Sequence, residues 1–72
     1  MRVTVIRSTL EAVIVQLVGL TNGPAKDGFK SCVIEVPVDC DVSDGHIGAA
    51  KELGVEISKV SPKDKYRLEM II

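Results

Sequence analysis

The chain has 72 residues, which is enough for one domain spanning residues 1–72 and no more. Its net charge is −1, so the basic surface of nucleic-acid-binding domains is not indicated and a nucleic-acid partner is not expected. The apolar fraction is 46% and almost entirely aliphatic, since Phe29 and Tyr66 are the only aromatic residues. A domain this small buries roughly 60% of the surface of its unfolded chain. We therefore expect a protein partner or a second copy to cover part of the apolar surface.

The cysteines and the N-terminal segment indicate a cytoplasmic protein. Cys32 and Cys40 fall in a stretch that reads as one strand, which would hold them roughly 26 Å apart. A disulfide needs Cα atoms within about 7 Å, so we expect reduced thiols in a reducing compartment. Glu11 and Gln16 interrupt the apolar N-terminal stretch. Neither a signal peptide nor a membrane span is therefore expected.

The first element in chain order is a predicted strand over Arg2–Arg7, which is rich in β-branched residues. The next segment, Leu10–Leu20, carries two conflicting patterns. Ser8 and Glu11 have the spacing of a helix capping box, and a helical stripe follows it, made of Leu10, Val13, Ile14, Leu17 and Val18. Four β-branched residues within six positions favour a strand instead. We predict a strand and keep the helix as the alternative.

A loop and a third strand follow. Residues Thr21–Lys30 contain several turn signals and form a loop long enough to carry binding residues. The strand predicted over Ser31–Val38 turns one apolar face to the core, consisting of Cys32, Ile34, Val36 and Val38. Pro37 has no N–H for a sheet, so the strand should end, bulge or lie at an edge there.

The segment Asp39–Gly54 predicts a short helix. Asp41 or Ser43 can serve as its N-cap, and Gly54 suits the position just beyond its C-terminus. Asp44 then lies in the first turn, where the helix dipole favours a negative charge.

The C-terminal part predicts two more strands. The first covers Val55–Val60, and Ser61–Asp64 follows as a type I turn with Pro62 at its second position. The second covers Lys65–Ile72 and alternates strictly, with the buried face made of Tyr66, Leu68, Met70 and Ile72.

These elements predict an α+β fold: a small, mostly antiparallel sheet in the order β-β-β-α-β-β with one short helix. If Leu10–Leu20 is helical, the order becomes β-α-β-α-β-β.

The densest polar cluster, from Asp39 to His46, contains three aspartates, Cys40 and the only histidine. Its residue types suit a divalent metal, but their spacing matches no metal motif and fits helix capping better. A Cys40–His46 pair is conceivable as a nucleophile and base, yet no catalytic signature accompanies it. We therefore predict neither an enzyme nor a cofactor.

A small anionic ligand is a second hypothesis. Gly23 and Gly28 have the glycine spacing of a phosphate-binding loop, but Phe29 and Lys30 stand where that motif has lysine and serine or threonine. A hairpin also groups several cations, Lys59, Lys63, Lys65 and Arg67, which more often protect an edge strand. The candidate ligand-binding residues, in a pocket shared between subunits, are Lys26, Lys30, His46, Lys63, Lys65 and Arg67.

Because the chain combines much aliphatic surface with little chemistry, we predict a small non-enzymatic binding or inhibitor protein that works through protein–protein contacts as a homo-oligomer. The alternative is an oligomer that binds or sequesters a small anionic ligand such as a nucleotide messenger. Small phage-encoded antagonists offer an analogy in size for that alternative.

Overall fold

The computed structural model describes residues 1–72 and contains four strands and two helices. In chain order the elements are β1 (Arg2–Arg7), α1 (Leu10–Thr21), β2 (Ser31–Pro37), α2 (Asp44–Glu52), β3 (Val55–Ser61) and β4 (Tyr66–Ile71). The α+β class is confirmed, and the order is the alternative one, β-α-β-α-β-β. The first-choice order with a single helix is wrong.

The error lies in α1, which was predicted to be a strand. The helix begins after Thr9, whose hydroxyl accepts a hydrogen bond from the N–H of Ala12 at 3.2 Å. The predicted capping box had placed this role on Ser8, one residue too early. A β-branched residue costs a helix at most about 0.7 kcal/mol relative to alanine, whereas burying one valine side chain contributes about 1.5–3 kcal/mol. Val13 is fully buried on the sheet side of α1, so packing outweighs propensity here.

The sheet has the strand order β1-β4-β2-β3. Strand β4 is antiparallel to both neighbours, and β2 is parallel to β3, so two of the three pairings are antiparallel, as predicted. The crossovers β1-α1-β2 and β2-α2-β3 both advance in the same direction across the sheet. Because such crossovers are right-handed, both helices belong on one face, and the other face of the sheet stays open.

The core lies between the sheet and the helices. Two rows of apolar side chains cross the covered face of the sheet, one through Val5, Leu68, Ile34 and Ile57 and one through Val3, Met70, Cys32 and Val55. Leu68 and Met70 are fully buried at their centre. The alternation predicted for the last strand is thereby confirmed. Strand β2 ends at Pro37, where its pairing with β3 shifts register, as Pro37 predicted.

The connections are compact. The loop after α1 folds back so that Ala25 is buried, and the N–H of Ala25 donates to the carbonyl oxygen of Leu20 at 2.8 Å. The β3–β4 turn is closed by the N–H of Lys65, which donates to the carbonyl oxygen of Pro62 at 3.2 Å. Pro62 is therefore the first residue of that turn, one residue later than predicted. The φ of 59° at Asp64, its third residue, does not fit the predicted type I turn.

Helix α2 has the caps that the sequence predicted. The hydroxyl of Ser43 accepts from the N–H of His46 at 3.3 Å, and Asp44 lies in the first turn. Gly54 follows the C-cap with a φ of 80°. Neither α1 nor α2 is long and apolar enough to cross a membrane.

Candidate functional site

The most distinctive surface feature is a groove between the two helices. Helix α1 packs on β1 and β4, whereas α2 packs on β3 at the far side of the sheet. Two strand spacings, roughly 10 Å, separate β4 from β3, and β2 lies between them. The helices therefore stand apart instead of packing against each other, and the space above β2 is left open between them.

This groove has a volume of about 420 Å³, which is within the roughly 300–1,000 Å³ of typical ligand pockets. Ten of its twelve lining residues are hydrophobic. The wall on α1 consists of Leu10, Ile14 and Leu17, the wall on α2 of Ala49, Ala50 and Leu53, and the floor of Ile34, Val42, Val55 and Ile57. The groove is thus an aliphatic trough that can take up apolar groups.

The apolar surface extends from the groove onto the outer side of α1. Val15 and Val18 are 65% and 52% exposed, and Ile14, which also lines the groove, is 44% exposed. Leu53 on the opposite wall is 71% exposed. We call Ile14, Val15 and Val18 the α1 ridge. Groove and ridge together form one continuous patch, which is the kind of surface that marks interaction sites.

Two polar residues, Glu11 and His46, stand in the first turns of the two helices and complete the groove lining. The parallel course of β1 and β2 brings these helix starts to the same end of the groove. Nδ1 of His46 is 3.0 Å from the hydroxyl of Ser43, so one ring nitrogen is engaged in the helix cap. The rim therefore offers one carboxylate and one imidazole nitrogen for polar contacts.

The proposed Cys40–His46 pair is not formed by hydrogen bonding. The thiol of Cys40 instead lies 3.7 Å from the hydroxyl of Tyr66. This hydrogen bond raises the pKa of Tyr66, and burial and the negative charges around it add to the effect. Cys32 is buried in the core, and its desolvation raises the pKa of its thiol. The raised pKa of Cys32 is the opposite of the lowered pKa that activates a nucleophilic thiol.

The aspartates around α2 are arranged as caps and exposed side chains. No three His, Cys, Asp or Glu side chains lie close enough together to hold a metal ion. Asp44 occupies the first turn of α2, where it interacts favourably with the helix dipole.

The residues predicted to bind an anion lie at separate places within one copy. Lys30 is at one end of the sheet, where its N–H donates to the carbonyl oxygen of Ile71 at 2.6 Å, and Lys26 is in the same loop. Lys63 and Lys65 are at the other end of β4, roughly 17 Å away. His46 is on the helix side, at the groove rim. A shared pocket made from several copies stays a prediction.

Arg67, the last of these candidates, is engaged on the open face of the sheet. Its two terminal nitrogens contact Glu35 at 2.7 Å and Glu69 at 2.6 Å, and Glu69 also contacts Arg2 at 3.3 Å. This alternating chain of charges crosses β1, β4 and β2. Because both guanidinium ends of Arg67 are paired, the residue is poorly suited to bind a further anion.

The groove was not predicted from the sequence, because one of its walls, α1, was predicted to be a strand. The helical stripe of Leu10, Ile14 and Leu17 indicated this wall, and predicting a helix for α1 would have revealed it. The distance between the helices, however, follows from the strand order, which no local pattern reveals.

Comparisons of the chain with models of protein families, with curated proteins and with solved structures find no match.

Proposed function

We propose that this is a non-enzymatic binding protein whose groove between α1 and α2 takes up apolar side chains of another protein chain. The observation that carries the proposal is the aliphatic groove of about 420 Å³ with exposed walls at Ile14 and Leu53. A folded protein leaves such a surface open at a cost in solubility, so it is expected to have an occupant.

The lining favours a protein over a small molecule. Small-molecule sites place several polar groups among apolar ones to fix the orientation of the ligand. Here Glu11 and His46 are the only polar side chains, and both lie at the rim. A depletion of charge at the centre with polar groups at the edge is the pattern of protein interfaces.

The same features support a binding role over catalysis. A general base needs an orienting partner and a reacting group within hydrogen-bond distance. The only histidine has Ser43 as its partner, and that hydroxyl also caps α2. The anionic-ligand hypothesis depends on cations from different copies, so we favour the apolar groove.

The test compares capture of proteins by the wild type and by two matched variants. Leu53→Glu places a carboxylate on the groove wall at a side chain that is 71% exposed, so the fold should persist. Val60→Glu is the control, because Val60 is 60% exposed on β3 and does not line the groove.

We expect a protein captured from a lysate by the wild type to bind Val60→Glu equally well and Leu53→Glu at least ~10-fold more weakly, since burying an unpaired carboxylate costs 1.4 kcal/mol or more. Circular dichroism would verify that both variants are folded. Equal capture by all three proteins would show that the groove is not the binding surface.

A further inference from the structure

We propose that the free edge of β1 is a second binding site, at which an acidic, extended segment of another protein adds a further strand to the sheet. The site is separate from the groove and does not rest on the proposed function, because it uses backbone hydrogen bonds at the margin of the sheet. Strands β1 and β3 are the two edges of the sheet, so only they can accept a further strand.

The hydrogen bonds at the start of β1 show which of its backbone groups point outward. The amino group of Met1 donates to the carbonyl oxygen of Ile72 at 3.0 Å, and the N–H of Ile72 donates to the carbonyl oxygen of Met1 at 2.8 Å. In an antiparallel pair, every second residue bonds to the neighbouring strand in this way. The register runs unbroken along β1. Arg2, Thr4 and Ile6 therefore turn their N–H and C=O groups away from the sheet.

Of the two edges, β1 is the less protected one. All six of its residues pair with β4 without a shift in register, and it contains no proline. The pairing of β3 with β2, in contrast, skips Val60. Irregularities of this kind protect an edge strand against pairing with another chain. The regular edge of β1 lacks that protection and is the better template for an added strand.

The charges of β1 favour an acidic partner. The strand carries Arg2 and Arg7 and no acidic residue. Nη1 of Arg7 donates to the carbonyl oxygen of Ile6 at 2.8 Å, and because this carbonyl points outward, the guanidinium lies along the free edge. Arg7 takes part in none of the ion pairs of the molecule. A guanidinium has five N–H donors, so Arg7 can still bind a carboxylate of an added strand.

The same charges disfavour a second copy of this chain at the edge. A two-fold axis at Thr4 would align the outward backbone groups of two β1 strands. It would also bring together two strands that each carry two arginines and no acidic residue. Like charges on paired strands are destabilising, and repulsion of this kind is a common source of specificity. The arginines thus exclude self-pairing and admit an acidic strand.

The covered side of β1 determines the other side chains of the partner. Val3 and Val5 point to this side and are half-buried. Side chains directly opposite on an added antiparallel strand would lie about 4.5–5.5 Å from them, so the partner needs apolar residues at two alternate positions. A matching probe is the capped peptide Glu-Thr-Val-Thr-Val-Glu. Its valines would lie opposite Val5 and Val3, and its glutamates opposite Arg7 and Arg2.

The test is a titration of the ¹⁵N-labelled full chain with this peptide, followed by NMR. The amides of Thr4 and Ile6 should exchange with solvent at least ~10-fold more slowly in the complex, because they gain hydrogen-bond acceptors. The amides of Val3 and Val5 already bond to β4 and should change little. The basic peptide Lys-Thr-Val-Thr-Val-Lys should bind at least ~10-fold more weakly, because both charge pairs become repulsive.

Two N-methylated peptides test the backbone pairing. In the proposed register, the N–H of the second threonine points to the carbonyl group of Thr4, whereas the N–H of the first valine points away from β1. Methylation of that threonine nitrogen should abolish binding, and methylation of that valine nitrogen should preserve it. Equal binding of the two methylated peptides would overturn the proposal.

Two protein variants test the charges. Arg7→Glu should bind the acidic peptide about 5-fold more weakly, since an attractive cross-strand pair becomes repulsive. Lys59→Glu is the matched control, because Lys59 is exposed on the opposite edge strand, and it should bind like the wild type. Equal affinity of the wild type for the acidic and the basic peptide would overturn the proposal. So would protection of Thr4 and Ile6 that rises with protein concentration without peptide, because a second copy would then occupy the edge.

Failure of this site is distinguishable from failure of the groove. Leu53→Glu, which alters the groove wall, should bind the acidic peptide like the wild type. A loss of peptide binding in Leu53→Glu would place the peptide in the groove and reject the edge.

Discussion

At the scale of single residues, two glycines near α2 differ in their backbone φ and in the room around them, and therefore in their roles. Gly54 has a φ of 80°, and a Cβ there would lie 3.7 Å from the ring of Phe29. Gly48 lies within α2, and a Cβ there would contact nothing within 4 Å. The first glycine is required by the turn that follows the helix, whereas the second weakens the helix without a visible benefit.

We predict that Gly54→Ala and Gly48→Ala have opposite effects on stability. Gly54→Ala should lower the free energy of unfolding by about 1 kcal/mol, because alanine is strained at positive φ. Gly48→Ala should raise it by about 0.5–1 kcal/mol through helix propensity. Urea denaturation followed by circular dichroism measures both. Equal effects of the two substitutions would contradict the roles assigned to these glycines.

Some individual side chains of the candidate site can be predicted from the sequence, and others cannot. The exposure of Val18 follows from helical periodicity once α1 is recognised, so the wall residues on α1 are predictable in principle. The exposure of Leu53 is not, because helical periodicity places this residue on the inner side of α2, whereas the structure leaves it 71% exposed. The pairing of Arg67 with Glu35 and Glu69 is not predictable either. It depends on β4 lying between β1 and β2, and the sequence places these strands far apart along the chain.

At the scale of elements, the sequence predicted five of six. The bounds of β1 agree completely, and those of β2, β3 and β4 agree within one residue at each end. These elements are rich in β-branched residues, alternate in polarity or carry clear caps, so local physics and the fold favour the same structure. For α1, local propensity and the fold disagree, because valine and isoleucine favour strands. The stripe centred on Val13 decides the outcome only when the sheet is present to cover it.

The start of α1 provides a prediction at this scale. Thr9→Ala should lower the free energy of unfolding by about 1 kcal/mol, since it removes the hydroxyl that accepts from the N–H of Ala12. Ser8→Ala is the matched control and should change it by less than about 0.5 kcal/mol, as for an exposed side chain without such a role. Chemical denaturation of the two variants gives both values. A larger loss of unfolding free energy for Ser8→Ala than for Thr9→Ala would mean that Ser8 caps the helix, as the sequence suggested.

At the scale of the whole molecule, the two faces of the sheet serve different purposes. The covered face and the helices create the apolar groove, whereas the open face carries the alternating charges of Arg2, Glu69, Arg67 and Glu35. Exposed ion pairs contribute at most about 1 kcal/mol each, so this network adds little stability. Its effect is to place charged side chains across three neighbouring strands of the open face.

Two groups whose pKa values are raised by folding make the stability of the whole molecule depend on alkaline pH. Burial raises the pKa of Cys32 above 9.0, and the hydrogen bond to Cys40 raises the pKa of Tyr66 above 10.0. The unfolded chain therefore loses these protons at a lower pH than the folded chain. Between the unfolded and folded pKa values, the folded state binds more protons, and stability falls as pH rises.

We expect ionisation of Cys32 to leave the free energy of unfolding unchanged below its unfolded pKa near 9.0 and to lower it above that pH by at most ~1.4 kcal/mol per pH unit. Urea denaturation at a series of pH values measures this slope. Cys32→Ala should unfold more easily at every pH because it leaves a cavity, but its decline just above pH 9.0 should be shallower than that of the wild type. Tyr66→Phe should keep that decline and lose the one that begins near pH 10.0. Identical slopes for the wild type and Cys32→Ala would mean that the thiol titrates equally in both states, which is incompatible with its burial beneath the helices.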